Sequence, residues 1–211
     1  WLSNRTLVEN RIRHILGHID RKIYARHCVV GELSSRDTKD FLNDNHIQRA
    51  DVARIRLGGY FDGELVGVMT FKPTNFSKGG NGITMELSRF CTKQQTQVVG
   101  LGSKLFSSFI NTHVDVSEII SYADARWNTG RLYQALGFVD CGTTPPSYWY
   151  VNSNELIRRH RSQFMKHLLV KKGLPPEIYD QRKTEKDMMD EGGKYFRVWD
   201  CGHMKYRWTR D

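Results

Sequence analysis

The chain has 211 residues, 39% hydrophobic and 26% charged, with 32 Lys and Arg against 23 Asp and Glu and a formal net charge of +9. That balance excludes a disordered or collagen-like chain, and the length suits one large domain or a medium domain with an extension. No apolar run approaches the roughly 20 residues of a membrane-spanning helix, so a membrane protein is not expected. The opening Trp1-Leu2-Ser3-Asn4-Arg5 lacks the apolar stretch of a secretory signal.

In chain order, residues 1–18 read as a basic helix carrying Leu7, Ile12, Ile15 and Leu16 at near-helical spacing. Tyr24 to Leu33 is strand-like, and Ser34 or Ser35 caps a helix reaching about Asp44. Leu57–Phe61 and Leu65–Phe71 flank Asp62-Gly63, the preferred two-residue hairpin turn. A Gly-, Ser- and Lys-rich loop, Asn75 to Gly82, is expected to be mobile, and Ile83 to Cys91 alternates as a strand. Gly100 to His113 puts Leu101, Leu105, Phe106, Phe109 and Ile110 on one helical stripe. Glu118 to Asp124 is a buried strand ending in a carboxylate, and Asn128 to Leu136 a short helix stopped by Gly137. Strands follow at Phe138–Cys141 and Tyr148–Val151, with Trp149 expected on the core face; the other reading of Trp127, Tyr148, Trp149 and Tyr150 is exposed rings that stack on an unpaired base. A basic helix is expected over Asn154–Lys172, a helix near Thr184–Asp190, and a closing hairpin of Tyr195–Trp199 with Lys205–Trp208. In that hairpin Tyr195, Trp199, Tyr206 and Trp208 would be cross-strand pairs. This order predicts an α/β sandwich around a mixed sheet.

Cys28, Cys91, Cys141 and Cys201 form no C-x-x-C pair, so reduced thiols in a cytosolic protein are expected and no metal site is assigned. Positive charge gathers at the flanks. Residues 152–172 hold Arg158, Arg159, Arg161, Lys166, Lys171 and Lys172 against Glu155 alone, and residues 1–27 hold six cations against Glu9 and Asp20. Two basic flanks point to a polyanion, because each Lys or Arg that meets a phosphate releases a counterion; the plainer reading is a solvated helix face.

Two segments carry chemistry. Gln97-Val98-Val99-Gly100-Leu101-Gly102-Ser103-Lys104 opens a helix with glycines, which lets backbone amides approach an anion at the helix N-terminus, with Lys104 to reinforce them. The spacing fits neither a Walker loop nor a dinucleotide fingerprint. About 30 residues on comes Asn128-Thr-Gly-Arg-Leu-Tyr133-Gln-Ala-Leu-Gly137-Phe138. Together they resemble the GNAT N-acetyltransferases over roughly Val29 to Val151. The resemblance implies a GNAT-like mixed central sheet flanked by helices, with a basic N-terminal extension (1–28), a GNAT-like domain (29–151) and a basic C-terminal helix-plus-hairpin extension (152–211). It implies acetyl-CoA held by Gln97, Val98, Gly100, Gly102, Ser103 and Asn128, and Tyr133 as the acid that protonates the leaving thiolate.

His46, Gly63–Met69, Glu86-Leu-Ser-Arg89, Ser121-Tyr-Ala-Asp124 and Tyr133 to Phe138 also resemble the Mom-type DNA-modification proteins of phages. That resemblance implies an enzyme altering the exocyclic amine of adenine in double-stranded DNA, in the cytoplasm of a phage-infected bacterium. It implies Arg89, Asp124, Tyr133 and His46 as catalytic residues: Asp124 to accept a proton from the amine, Arg89 to hold it or grip a phosphate, His46 as base or metal ligand. The same blocks, with Lys22–Arg26 and Tyr195–Gly202, resemble a domain of phage homing-endonuclease-like proteins, which implies a non-catalytic DNA-binding module instead. A conventional acetyltransferase acting on a small amine or a protein is the third reading. For Arg89 and Asp124 the plain alternative is a structural pair between strands.

Overall fold

The computed structural model describes residues 4–74, 84–152, 154, 155, 157–171 and 179–210, with backbone alone at 170 and 171. The chain divides into two compact units: Trp1–Ala123, Thr129–Gly142 and Met204–Asp211 form the first, and Asp124–Asn128 with Thr143–His203 the second. Among the described residues no helix is long and apolar enough to cross a membrane.

The first unit opens with α1 (Arg5–Ile15), β1 (Arg21–Tyr24), a 3-10 turn at Ala25–His27 and β2 (Val29–Glu32). The single strand expected at Tyr24–Leu33 is thus broken by that turn. Helix α2 (Ser35–Asn45) starts where Ser34 Oγ accepts the Asp37 N–H, the capping geometry its sequence predicts. Strands β3 (Ile55–Phe61) and β4 (Glu64–Pro73) form the expected hairpin, and Asp62 and Gly63 both take the positive φ (49° and 79°) that its turn requires. After β5 (Thr84–Thr92) and β6 (Thr96–Val99) comes α3 (Leu101–Thr112), then β7 (Glu118–Asp124), α4 (Arg131–Ala135) and β8 (Val139–Thr143). Helix α4 starts later than expected because Gly130 sits in the left-handed region, φ 78°, and ends the non-helical approach. The loop expected at Asn75–Gly82 lies outside the described residues.

The second unit contains β9 (Tyr148–Asn152), β10 (Arg158–His160), a 3-10 turn at Arg161–Phe164, α5 (Lys166–Lys171), α6 (Glu185–Glu191) and β11 (Tyr195–Trp199). The final strand, β12 (His203–Thr209), joins the seven-stranded sheet of order β2-β3-β4-β5-β7-β12-β8. That sheet is mixed: β2 to β5 are antiparallel neighbours and β5 with β7 is parallel. Helix α3 covers it, burying Leu101, Leu105, Phe106 and Phe109, with Phe109 stacked on Phe71 at 3.6 Å.

Two expectations for the C-terminal part are corrected. The basic stretch is not one helix. Its buried apolar residues, Phe164 and Leu169, lie five apart, not three or four, and Arg158–His160 instead pairs antiparallel with Val151–Trp149. The closing strands are not a hairpin either: β11 pairs with β9 in a three-stranded sheet, while β12 runs in the larger one. Their aromatics find other partners. Tyr206 stacks on Tyr133 at 4.5 Å and Trp208 meets Phe106 edge-on, whereas Tyr195 packs on Phe164 and Trp199 on Tyr148. On β9 it is Tyr150, fully buried among Phe164, Leu169, Met188 and Met189, that enters the core; Trp149 faces the other way.

Candidate active site

Strand β6 runs parallel to β1, setting Gln97 beside Lys22 and Val98 beside Ile23, and delivers the chain to Gly100. Gly100 is left-handed, φ 81°, and no side chain caps α3. The first turn of a helix leaves its amides without intrahelical acceptors, so those of α3 and the aligned dipole present a positive end at this turn. Its position is fixed by a knob and hole. Gly59 and Gly67 are cross-strand partners, and the Leu101 side chain fills the space above both. A Cβ on Gly59 would lie 2.5 Å from Leu101 Cδ1, and one on Gly67 2.3 Å from Cδ2. Gly102 is buried by contact, since a Cβ there would come within 2.7 Å of Leu132 Cδ1. Val98 is buried, Gln97 half-buried, and Gly100 and Ser103 are exposed. Lys104 does not face the turn's amides: its ammonium donates to the carbonyls of Ala25 (2.9 Å) and Cys28, tying α3 to the 3-10 turn.

The sheet opens beyond this turn. Parallel pairing of β5 with β7 runs over Thr84/Glu118, Met85/Ile119 and Glu86/Ile120. One step further, the buried Ser121 hydroxyl lies 2.7 Å from the Leu87 carbonyl and 3.0 Å from Tyr133 Oη. A serine has one proton and a carbonyl only accepts, so when Ser121 serves Leu87 the phenol is the donor to Ser121. Tyr133 is stacked on Tyr206, with interplanar angle 10°, and meets Phe138 edge-on at 5.6 Å. Burial raises its pKa above the ordinary phenol value. The phenol therefore stays protonated at neutral pH, as an acid must.

A charge cluster forms beside it. Lys72 Nζ lies 3.2 Å from both Asp51 Oδ2 and Glu86 Oε1, and Arg89 reaches the same Asp51 oxygen at 3.9 Å. Arg89 also donates to the carbonyls of Ser88 (2.7 Å) and Arg49 (3.0 Å). His46 ends α2 with Nδ1 accepting the Gln48 N–H at 3.1 Å. Its pKa is pushed down to about 3 by burial first and by the positive charge of Arg89 second, against the pull of Asp51. His46 is thus neutral with its proton on Nε2, a hydrogen-bond donor in this arrangement rather than the expected base. The charges of Arg89 and Glu86 both act on the Tyr133 phenol, so the structure brings Tyr133, Arg89 and His46 into one neighbourhood. Sequence reasoning missed Asp51 and Lys72. Asp51 sits in a polar loop without periodicity; Lys72 shows itself only as the cross-strand partner of Glu86.

Asp124 belongs to the second unit and its partner is Arg126, not Arg89. Oδ1 accepts from the Arg126 backbone N–H (3.0 Å) and Nε (2.9 Å), and Oδ2 from Nη2 (2.6 Å). Burial works to raise its pKa, but the hydrogen bonds and charge of Arg126 prevail and hold it below the usual carboxylate value. Such a group accepts hydrogen bonds well and is a weak base. Asn128 donates to the Asp124 carbonyl at 3.3 Å. In the basic segment, Arg158 lies over the Trp149 ring (4.8 Å), Arg161 over Tyr148 (5.3 Å), Arg159 pairs with Glu155 (2.6 Å) and Lys166 donates to Gln181 O (3.0 Å). Lys171 ends α5, and Lys172 lies outside the described residues.

The profile of the Mom protein family matches residues 27–198. Among solved structures the chain is similar to a proposed acetyltransferase of Salmonella typhimurium with its cofactor acetyl-CoA (13% identity, 88% of this chain and 95% of that one, TM-score 0.51). Others are a Bacillus subtilis acetyltransferase in complex with CoA (15%, 88% and 99%, TM-score 0.45) and a GNAT family acetyltransferase from Elizabethkingia anophelis with acetyl-CoA bound (13%, 87% and 99%, TM-score 0.47). A search of curated proteins finds no match. The α/β architecture, a mixed central sheet flanked by helices, is the fold of these acetyltransferases.

Proposed function

The chain belongs to the Mom protein family, and from that premise we propose that it is an acyl-CoA-dependent transferase acting on the exocyclic amine of adenine in DNA. The observation that supports this reading most is Tyr133. Its phenol stands protonated where β5 and β7 stop pairing, on the same unit as an uncapped, glycine-opened helix start. The residues fit an acyl-CoA: the left-handed Gly100 is exposed, the nearest atom to a Cβ there is Ala25 Cβ at 3.7 Å, and among the described residues no side chain hydrogen-bonds the cap.

In this reading the amides opening α3 bind the diphosphate, with Gln97 and Ser103 at the rim. A bound acyl-CoA supplies an activated thioester carbonyl and a thiol leaving group. Tyr133 holds the proton that the departing sulfur needs, and Arg89, anchored by Asp51 and two carbonyls, presents positive charge toward the substrate. An adenine amine is a poor nucleophile because its lone pair is conjugated with the ring, and the proton it loses on acylation replaces the one that Tyr133 gives to the sulfur. Arg161, which carries no salt bridge among the described residues, and the basic α1 are the surfaces proposed to bind duplex phosphates.

The test combines calorimetry of acetyl-CoA with mass spectrometry of nucleosides from cells expressing the protein. Wild type is expected to bind acetyl-CoA and to yield mass-shifted adenine; Gly100→Glu, which puts a negative side chain on the left-handed cap, is expected to lose both. DNA binding without acetyl-CoA binding would replace this reading with the non-catalytic module.

A further inference from the structure

The three-stranded sheet of the second unit has two unlike faces. Alternation along β9 and β11 turns Tyr150, Tyr195 and Arg197 to one side, where Tyr150 is fully buried with Phe164 and Met188. The register places Trp149, Val151, Arg158, His160, Phe196 and Val198 on the other. That second face is open: Phe196 is 62% and Val198 47% exposed, and Arg158 and His160 are exposed as well. Buried hydrophobic residues normally alternate with polar ones on a half-solvated sheet. Here the solvent side has two aromatic rings and two valines, which the core does not explain.

The charges on this face identify its occupant. None of the six positions bears an acid, and two bear cationic or protonatable groups. Arg158 lies 4.8 Å over the Trp149 ring, and His160 meets that ring edge-on at 4.9 Å. The acids nearby serve other residues: Glu155 pairs with Arg159, and Asp190 with Arg197. Rings beside a guanidinium on an open antiparallel sheet match the two halves of an unpaired nucleotide, a base with a π-face and a phosphate. A purely hydrophobic protein partner would have no use for Arg158 and His160.

We propose that this face binds single-stranded DNA, with Trp149 and Phe196 stacking on successive bases and Arg158 meeting the intervening phosphate. That the strand is DNA rests on the family reading. An enzyme that acts on a base amine must take the base out of its stack, which leaves unpaired nucleotides in need of a resting surface.

Fluorescence anisotropy of the full chain with a labelled oligodeoxythymidylate, a duplex and an RNA strand of equal length tests this. Trp149→Ala and Phe196→Ala are each expected to weaken single-strand affinity about tenfold or more, with Phe196→Tyr retaining it. Arg158→Ala is expected to lower the slope of log affinity against log salt by about 0.7. Val114→Ala, exposed in the first unit, is the control expected to bind as wild type. Equal binding by the Trp149 and Phe196 variants, tighter binding of the RNA strand, or binding insensitive to salt would overturn the proposal. Acetyl-CoA calorimetry on the same samples separates the outcomes: a wild-type chain that binds acetyl-CoA but no single strand refutes this site and leaves the transferase reading standing.

Discussion

Replacing Gly67 with Ala places a methyl carbon 2.3 Å from Leu101 Cδ2 and 3.2 Å from the Cys91 carbonyl oxygen. Carbon atoms in contact sit about 3.5–4.0 Å apart, so Leu101 must withdraw by more than roughly 1 Å. It has nowhere to go: its other methyl already fills the hollow over Gly59, and the side chain is fully buried. Overpacking of this kind costs about 1–3 kcal/mol, offset by about 0.4–1 kcal/mol because alanine restricts the unfolded chain. In a protein of this size each kcal/mol lowers Tm by about 2–4 °C, so a measurable fall of up to about 10 °C is expected by circular dichroism. Leu101→Ala alone leaves a cavity costing about 2–5 kcal/mol. In the double variant the new methyl enters that cavity, so the two losses must fall short of additive by about 1 kcal/mol or more. Because Leu101 is the first helical residue after Gly100, acetyl-CoA affinity should fall in Gly67→Ala and return in the double variant. Additive losses, or an unchanged Tm in Gly67→Ala, would refute the knob-and-hole account of how the anion-binding turn is positioned.

Tyr133→Phe keeps the stack on Tyr206 but removes the acid, so base modification followed by nucleoside mass spectrometry should drop by about 10²–10⁴ with acetyl-CoA binding intact; an unaffected yield would remove Tyr133 from the chemistry. His46 offers a pH test. Its folded pKa, about 3, lies below the ordinary value of 6.5, so between these the unfolded chain binds a proton that the native state does not. Stability from this group is full above pH 6.5 and is lost as pH falls toward 3. His46→Gln should flatten that acid limb in urea titrations run at a series of pH values, and an identical limb would show that His46 is solvated.

What could be read in advance follows the range of the interactions. The Asp62-Gly63 turn, the Ser34 cap and the Gly100 helix start depend on residues within a few positions of one another, and each appears as the sequence predicts. Tyr133 was legible because its segment has a recognisable order relative to that start. Its anchoring was not: Ser121 and Tyr206 reach it only through sheet topology. The cluster of His46, Asp51, Lys72 and Arg89 draws on three separate stretches of chain, and no local pattern announces it. Residues 154–172 misled because a run of cations with scattered apolar residues satisfies a helical composition without its periodicity. Pairing with β9 then decided the backbone. Trp149 and Tyr150 differ by one step of alternation, and only the partner strands fix which ring turns inward.

The route of the last strand has a bearing on biosynthesis. Residues 203–209 fill a slot between β7 and β8, and Tyr206 lies against the ring of Tyr133. During synthesis the larger sheet stands with that slot vacant, and Tyr133 is left without its neighbour, until residues 203–209 have emerged from the ribosome. A premature stop or a proteolytic nick near Gly202 would therefore disable the catalytic half of the molecule, although it leaves every one of the proposed catalytic residues in place.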